Sequence, residues 1–106
     1  MDDKEFNRLA DATLARIEEA LEASGADLDF ELQHGGVLEI EFADGSKIIV
    51  NRHGVAKEIW VAAKSGGFHF RCENDAWIDT RDGAELFAKL SALASLQAGE
   101  SVALSD

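Results

Sequence analysis

The stretch from Gly45 to Ala63 constrains the fold most, because it contains two segments of alternating polar and apolar residues joined by a short link. Successive side chains of a β-strand point to opposite faces of the sheet. Alternation therefore places Ile59 and Val61 of the second segment on one face and Trp60 on the other. If the aliphatic pair packs on the core, the indole lies on an open face. A large aromatic ring there usually serves something outside the fold and should contribute little to stability.

An amphipathic helix is predicted at each end of the chain. Within residues 3–24, apolar side chains recur every three or four positions, and Gly25 follows as a common helix end. The second helix is predicted to begin at Asp82 as its N-cap, with Glu85 completing a capping box, and to end before Gly99.

Between the helices, alternation and turn residues predict about six short strands. Short turns make neighbouring strands antiparallel. The first strand is expected to bury Leu28, Phe30 and Leu32. The tail after the second helix is expected to lie over the core through Val102 and Leu104. Two helices on one face of such a sheet give an α+β two-layer sandwich with an open second face.

Length and composition fit one globular domain over residues 1–106, with 46% apolar residues. No apolar run reaches the roughly 20 residues that a membrane-spanning helix needs. The acidic, amphipathic N-terminus is unlike a signal or transit peptide. The single cysteine, Cys72, excludes an internal disulfide and favours a reducing compartment. These observations predict a cytoplasmic protein.

The formal charge of −11 is concentrated in the first two-fifths of the chain. Residues 1–44 carry 13 acidic and 3 basic side chains, net −10, whereas residues 45–106 carry 8 acidic and 7 basic ones, net −1. An acidic half of this kind repels nucleic acid and anionic membranes and attracts cations or basic protein surfaces. Binding to nucleic acid or to a membrane is therefore not expected.

Many of these acidic side chains are placed where they could form one surface. At about 100° per residue, three of them fall within about 40° on one flank of the first helix, with a fourth beside them. Alternation exposes three more around the first strand. We call the whole set the acidic ridge, and its members are Asp11, Glu18, Glu19, Glu22, Asp27, Asp29 and Glu31.

The ridge offers carboxylate oxygens, which suit Fe(III) and also accept Fe(II), Mn(II), Ca(II) or Mg(II). Asp11 lies two turns before Glu18, roughly 10 Å away by helical rise, so the ridge cannot close a single cage. The residues alone predict several open, weak sites whose coordination water completes. The alternative is an ordinary solvated face, the usual role of a charge run. Against it stands the repulsion between uncompensated charges at helical spacing, about a few tenths of a kcal/mol per pair.

No catalytic constellation is visible in the sequence. Cys72 shares a strand face with Phe68 and Phe70, as a small core residue would. The three histidines are dispersed, lack the spacing of a transition-metal site, and are expected to be surface residues without a role: His34, His53 and His69. The sequence therefore predicts a protein that is not an enzyme.

Trp60 and its neighbours form a second candidate site. An exposed indole beside a polar amide such as that of Asn51 suits protein docking, because aromatic side chains dominate interface hot spots. The alternative is that the C-terminal tail or another loop covers Trp60.

Several segments of the chain resemble the frataxin family, in its bacterial CyaY branch. The most specific is GGVLEIEFADGSKIIVNR, over residues 35–52. Others occur in family order: EFNRLAD, IEEALE, EIWVA, SGGFHF, WIDTRDG and QAGESV. The resemblance covers nearly the whole chain, and it implies a frataxin-like α-β-α sandwich with a role in iron–sulfur cluster assembly.

The same resemblance implies weak iron binding through the acidic ridge. It also implies direct contact with a cysteine desulfurase and its scaffold partner, which modulates sulfur delivery. Asn51 and Trp60 match the family's exposed sheet patch. Glu18, Glu19 and Glu22 match ridge positions, where a basic partner surface would also bind. The expected state is a monomer, with oligomers formed in the presence of iron as an open alternative.

The chain departs from the family pattern between Arg52 and Trp60. Where the family has Gln-x-Pro-x-x-Gln, residues 53–58 lack both glutamines and the proline. With Gly54 and no proline, the link is predicted to be more flexible, which affects the docking geometry but not the fold. Ala23 and Ala26 replace possible ligands, so a lower capacity for iron is predicted.

Three functions remain open at this point. The first is a non-enzymatic, iron-binding regulator of cluster assembly that acts by contact with the desulfurase complex. The second is an acidic interaction module in which metal binding is incidental. The third is an enzyme-like ferroxidase that stores iron in oligomers.

Overall fold

Two helices pack on one face of a six-stranded antiparallel sheet in the computed structural model, which describes residues 1–106. The elements are, in chain order, α1 (Asp3–Ser24), β1 (Leu28–Gln33), β2 (Val37–Phe42), β3 (Lys47–His53), β4 (Glu58–Ala63), β5 (Gly66–Glu73), β6 (Ala76–Asp79) and α2 (Leu86–Ala98). Strands that are neighbours in sequence are neighbours in the sheet, so β1 and β6 form its edges. The predicted α+β sandwich is confirmed. Neither helix is long and apolar enough to span a lipid bilayer.

Helix α1 forms where the sequence predicts it. Asp2 is its N-cap, and the carboxylate accepts a hydrogen bond from the backbone N–H of Glu5 at 2.8 Å. Gly25 ends the helix with a φ of +68°, a left-handed conformation that glycine adopts without strain. The apolar stripe of α1 is buried against the sheet, and Thr13 within it accepts a 2.8 Å hydrogen bond from the indole of Trp77.

The core lies between the helices and the inner face of the sheet. The inward aliphatic positions of β2, β3 and β4 are buried as alternation predicts: Leu38, Ile40, Ile48, Val50, Ile59 and Val61. The C-terminal tail packs on the same core through Val102 and Leu104, which confirms its predicted position. Ser95 Oγ accepts a hydrogen bond from the N–H of Val102 at 2.8 Å, and Ser91 Oγ accepts one from the N–H of Leu104 at 2.9 Å. The tail therefore lies along α2, away from the open face.

Leu32 departs from the predicted burial of the first strand. Leu28 and Phe30 are half-buried against the core, but Leu32 is 45% exposed. β1 is an edge strand with a neighbour on one side only, so an inward side chain near its end is covered less than one in the middle of the sheet. The prediction that Leu32 belongs to the core is wrong.

Helix α2 begins three residues later than predicted. Asp82 accepts a hydrogen bond from the N–H of Ala84 at 2.9 Å inside a turn, and it pairs with Lys89. A β-bridge between Ile78 and Glu85 keeps the following backbone extended. The helix can start only after this bridge, so the assignment of Asp82 as the N-cap is wrong.

Glu85 is the N-cap of α2, and its carboxylate accepts hydrogen bonds from the N–H groups of Phe87 and Ala88 at 2.9 and 3.1 Å. Replacing Glu85 by alanine is expected to lower the free energy of unfolding by about 1 kcal/mol, since two helical N–H groups lose their acceptor. Asp82→Ala is the matched control and should lower the free energy of unfolding by less, because the Asp82 carboxylate that pairs with Lys89 is exposed to solvent. Urea denaturation of both variants measures the difference, and a larger loss for Asp82→Ala would contradict this cap assignment.

Candidate functional site

The three ridge glutamates of α1 lie on the flank of the helix next to the edge strand β1. Glu18, Glu19 and Glu22 line a shallow groove that also includes Phe30 of β1. No lysine or arginine forms an ion pair with any of them. Like charges one helical turn apart repel each other, so this flank is a place where a cation or a basic surface gains free energy on binding.

The ridge acids of β1 point to the other side of that strand. Asp29 and Glu31 lie on the open face of the sheet, directly opposite Glu41 and Glu39 of β2. Side chains paired across antiparallel strands have Cβ atoms about 4.5–5.5 Å apart, so these carboxylates form two close pairs of like charge. The acidic groups of α1 and of β1 are thus separated by the edge strand itself.

The remaining two ridge residues stand apart from both groups. Asp27 lies before β1 and lines a separate hollow with Asp44. Asp11 is bound by Arg52 of β3, whose Nε donates to Asp11 Oδ1 at 2.9 Å. Asp11 is therefore compensated, whereas the other six ridge residues have no partner of opposite charge.

The carboxylates of the ridge do not assemble into a chelating group. Nowhere in the chain do three or more His, Cys, Asp or Glu side chains come close enough together to hold a metal ion. A cation on the ridge would have one or two carboxylate ligands and would keep most of its water. Such an arrangement can bind hard cations weakly and with little selectivity.

Glu39 and Glu41 enlarge the acidic surface of the open face, and the ridge defined from the sequence does not include them. Lys47 is directly opposite Glu41 in the β2–β3 register and forms an ion pair with Glu39, with Nζ 3.0 Å from Oε1. Its hydrogen bond holds the pKa of Glu39 below the usual value and raises the pKa of Lys47. Of the four carboxylates at this corner, Asp29, Glu31, Glu39 and Glu41, only Glu39 forms an ion pair, so the corner stays negative. Only the strand register, which places β1 beside β2, brings these acids together.

On the open face, Trp60 lies flat between two imidazole rings. The ring of His53 is stacked on the indole with centroids 3.7 Å apart and an angle of 14° between planes. The ring of His69 is stacked with centroids 4.3 Å apart at 9°. His53 comes from β3 and His69 from β5, the two strands that flank β4. The prediction that these two histidines have no role is wrong, because each covers one face of the indole; His34 is exposed in a turn.

The indole N–H is directed at a buried carboxylate. Trp60 Nε1 donates to Oε1 of Glu58 at 2.8 Å, and Glu58 is only 9% exposed. The same carboxylate has Nδ1 of His69 at 3.8 Å and Nη2 of Arg71 at 3.6 Å. A carboxylate with so little access to water needs such partners. These contacts hold the indole in one orientation before any partner binds.

No other part of the chain covers the open face around this ring. Asn51 is the cross-strand neighbour of Trp60, and both are half-buried. Ile49 lies two positions before Asn51 on the same face, and Val55 in the link between β3 and β4 is 93% exposed. We call Ile49, Asn51, His53, Trp60 and His69 the Trp60 patch. An aromatic centre with apolar and amide groups around it has the composition of a protein-docking surface.

Cys72 lies on the inner face of β5, half-buried against the core. Burial, followed by the negative charge of Asp75, raises the pKa of its thiol. A thiol kept neutral is a poor nucleophile and a poor metal ligand, so Cys72 takes no part in the candidate site.

A family model described as a frataxin-like domain matches residues 1–100 of the chain. The iron–sulfur cluster assembly protein CyaY of Dechloromonas aromatica is 71% identical over 104 residues, which cover 98% of this chain and 99% of the relative. The protein of the same name from Janthinobacterium sp. is 56% identical over 110 residues, covering 100% of this chain and 98% of the relative.

Solved structures give the same result. Frataxin from Psychromonas ingrahamii is similar over 100% of both chains, with a TM-score of 0.91 and 40% identity. The trimeric frataxin from the yeast Saccharomyces cerevisiae, complexed with ferrous iron, has a TM-score of 0.67 and 28% identity, covering 91% of this chain and 87% of that one.

Proposed function

The chain belongs to the frataxin-like family, and on that premise we propose that it binds iron weakly on its acidic ridge and acts in iron–sulfur cluster assembly. In this role it is a cytoplasmic regulator and not an enzyme, and it modulates cluster assembly by direct contact with a cysteine desulfurase and its scaffold partner. The observation that carries the proposal is the flank of α1, where Glu18, Glu19 and Glu22 lie together without a counter-charge.

Iron is the cargo or effector in this proposal, not a resident cofactor. The α1 flank offers oxygen ligands of the hard type that Fe(II) and Fe(III) accept. Because the carboxylates do not converge on one point, each ion keeps water ligands and can leave quickly. This supports transient loading, and it agrees with a protein that passes on or reports iron without storing it in a cage.

Partner contact uses both the ridge and the Trp60 patch. Cross-strand pairing runs from Glu31 to Glu39 to Ile49, so the acidic edge of the open face is continuous with the patch. A basic partner surface is attracted by the edge, and the pre-oriented indole supplies an aromatic anchor. Electrostatic attraction of this kind raises the association rate, whereas the anchor slows dissociation.

A two-step NMR titration tests the proposal. Fe(II), added without oxygen, is expected to broaden the backbone amides of residues 18–22 and to leave the indole N–H of Trp60 sharp. Cysteine desulfurase, added next, is expected to change both the ridge amides and the Trp60 indole. Equal broadening by Fe(II) at acids outside the ridge, such as Asp82 and Glu100, would show that the ridge assignment is wrong.

The other two functions each have one supporting observation. The absence of a chelating group favours an acidic interaction module in which metal binding is incidental. The trimeric yeast frataxin, similar in fold, supports the oligomers that the third function requires. Oxygen consumption above a protein-free Fe(II) control, together with an increase in mass, would support the third function against the first.

A further inference from the structure

The link between β3 and β4 is held by a histidine nitrogen. The backbone N–H of Ala56 donates to Nδ1 of His53 at 3.2 Å. A ring nitrogen accepts a hydrogen bond only when it carries no proton, so this contact requires a neutral His53 with its proton on Nε2. The same ring stacks on Trp60. His53 therefore joins the link to the Trp60 patch.

Little else ties this link to the rest of the molecule. Gly54, Val55 and Ala56 are exposed, and Lys57 has a φ of +54°, a left-handed conformation uncommon for lysine. The side-chain hydrogen bonds of the link are the one from Ala56 to His53 and one from Lys57 Nζ to Asp3 at 2.8 Å. Losing the first would leave the middle of the link without a side-chain partner.

Protonation of His53 would place a hydrogen on Nδ1, facing the N–H of Ala56. Two donors would then oppose each other where a hydrogen bond had been. We propose that His53 is a proton-sensitive contact of the docking face: the neutral ring holds residues 54–57 against the Trp60 patch, and the protonated ring releases them.

The charged groups around His53 come from five parts of the chain: Glu58 of β4, His69 and Arg71 of β5, Arg52 of β3, Lys57 of the link and Asp3 of α1. Glu58 is directly opposite His53 in the strand register, and the two cations nearest in sequence are already paired with carboxylates of α1. None of the cations has a lone pair that could replace the lost acceptor for Ala56.

His69 should respond in the opposite sense. Its Nδ1 faces Oε1 of Glu58 at 3.8 Å, so a proton on that nitrogen creates an ion pair. Acidification therefore releases the link next to His53 but adds an ion pair at His69, on the β5 side of the indole. This asymmetry separates a specific effect at His53 from general acid destabilisation.

Two variants of His53 separate its hydrogen bond with Ala56 from its stacking on Trp60. His53→Asn keeps an oxygen that can accept from Ala56 N–H but removes the stacked ring, and it cannot be protonated. His53→Phe keeps a ring on Trp60 but removes the acceptor. We expect the Asn variant to hold the link at every pH and the Phe variant to release it at every pH. The wild-type protein should change from the first behaviour to the second as pH falls.

Hydrogen exchange of the Ala56 amide, corrected for the intrinsic pH dependence of exchange, is the measurement. Its protection factor in the wild type is expected to fall roughly threefold to tenfold as His53 is protonated, the factor that one ordinary hydrogen bond contributes. The Ala56 amide of His53→Asn should show no such fall. Equal protection of the wild type across the titration, or full protection in His53→Phe, would overturn the proposal.

The consequence for partner binding rests on the proposed function. Affinity for cysteine desulfurase should depend on pH more strongly in the wild type than in His53→Asn. The comparison of the two proteins cancels the titration of the partner, which is the same in both. If the wild type binds no desulfurase at any pH, the proposed function fails, while Ala56 protection still decides the role of His53. Identical pH dependence in both proteins would overturn the connection to docking and leave the proposed function intact.

Discussion

Fe(II) binding is expected to weaken at least about tenfold when Glu18 and Glu22 are both replaced by lysine, and desulfurase binding should weaken with it. A divalent cation about 5 Å from one carboxylate is attracted by about 1.7 kcal/mol even at the dielectric constant of water, and a lysine reverses the sign. Screening by salt reduces this attraction, but the double substitution removes two carboxylates and adds two lysines. Tenfold is therefore a lower estimate of the loss of affinity. Calorimetric titration with Fe(II) and desulfurase measures both effects.

Folding should not suffer from this double substitution. Both glutamates lie on an unpaired helix flank, and α1 has no basic residue in its last turn. A lysine at position 22 is therefore favourable to the helix dipole, and the free energy of unfolding should change by less than about 0.5 kcal/mol. A large drop in thermal stability would mean that the flank has a structural role.

A matched control separates local from overall charge. The double substitution changes the formal charge from −11 to −7. Ala88→Lys, Ala92→Lys and Glu100→Lys together give the same change at exposed positions of α2 and the tail. The control should keep Fe(II) binding. If both proteins lose it equally, net charge and not the ridge explains the effect.

The outcome also distinguishes two functions. Loss of iron with desulfurase binding intact supports an iron role that is independent of docking. Loss of both, the expected result, means that iron and the desulfurase are attracted by the same carboxylates. Loss of desulfurase binding alone supports an acidic interaction module. Unchanged iron binding in the double variant would show that Glu18 and Glu22 are not ligands.

The fold could be predicted because its information is local. The helical period predicts α1, and alternation predicts the inward positions of β2, β3 and β4, since each pattern depends only on residues close in sequence. Leu32 and Asp82 were not predictable in the same way. Leu32 is exposed because β1 lies at the sheet edge, and Asp82 is displaced as a cap by a bridge from β6 to Glu85. Both errors come from tertiary neighbours that override a sound local pattern.

The candidate site depends on such neighbours throughout. The sequence identified Trp60 as displayed and the ridge as acidic, but it could not place His53 and His69 on the two faces of the indole. Stacking needs the register of three adjacent strands. The pairing of Asp11 with Arg52 likewise joins residues 41 positions apart. Neither contact can be predicted from the spacing of residues along the chain.

Trp60→Ala is expected to reduce desulfurase affinity by roughly thirtyfold, the effect of removing an interface hot spot of about 2 kcal/mol. Unlike the expectation from the sequence, this variant should also lose stability. It removes the indole, and with it both stacking contacts, and leaves Glu58, 9% exposed, without its indole donor. A loss of about 1–3 kcal/mol follows, or several degrees in melting temperature for a domain of this size.

Trp60→Phe separates docking from stability. Phenylalanine can keep the stack between His53 and His69, but it cannot donate to Glu58, so it should lose only about 1 kcal/mol of stability. It should retain most of the desulfurase affinity, because the aromatic anchor remains. Fe(II) binding should be unchanged in both variants, since the α1 flank lies across the sheet from this ring. Affinity is measured well below the melting temperature of either protein. If the alanine variant and the wild type bind the desulfurase equally well, the indole has a structural role alone.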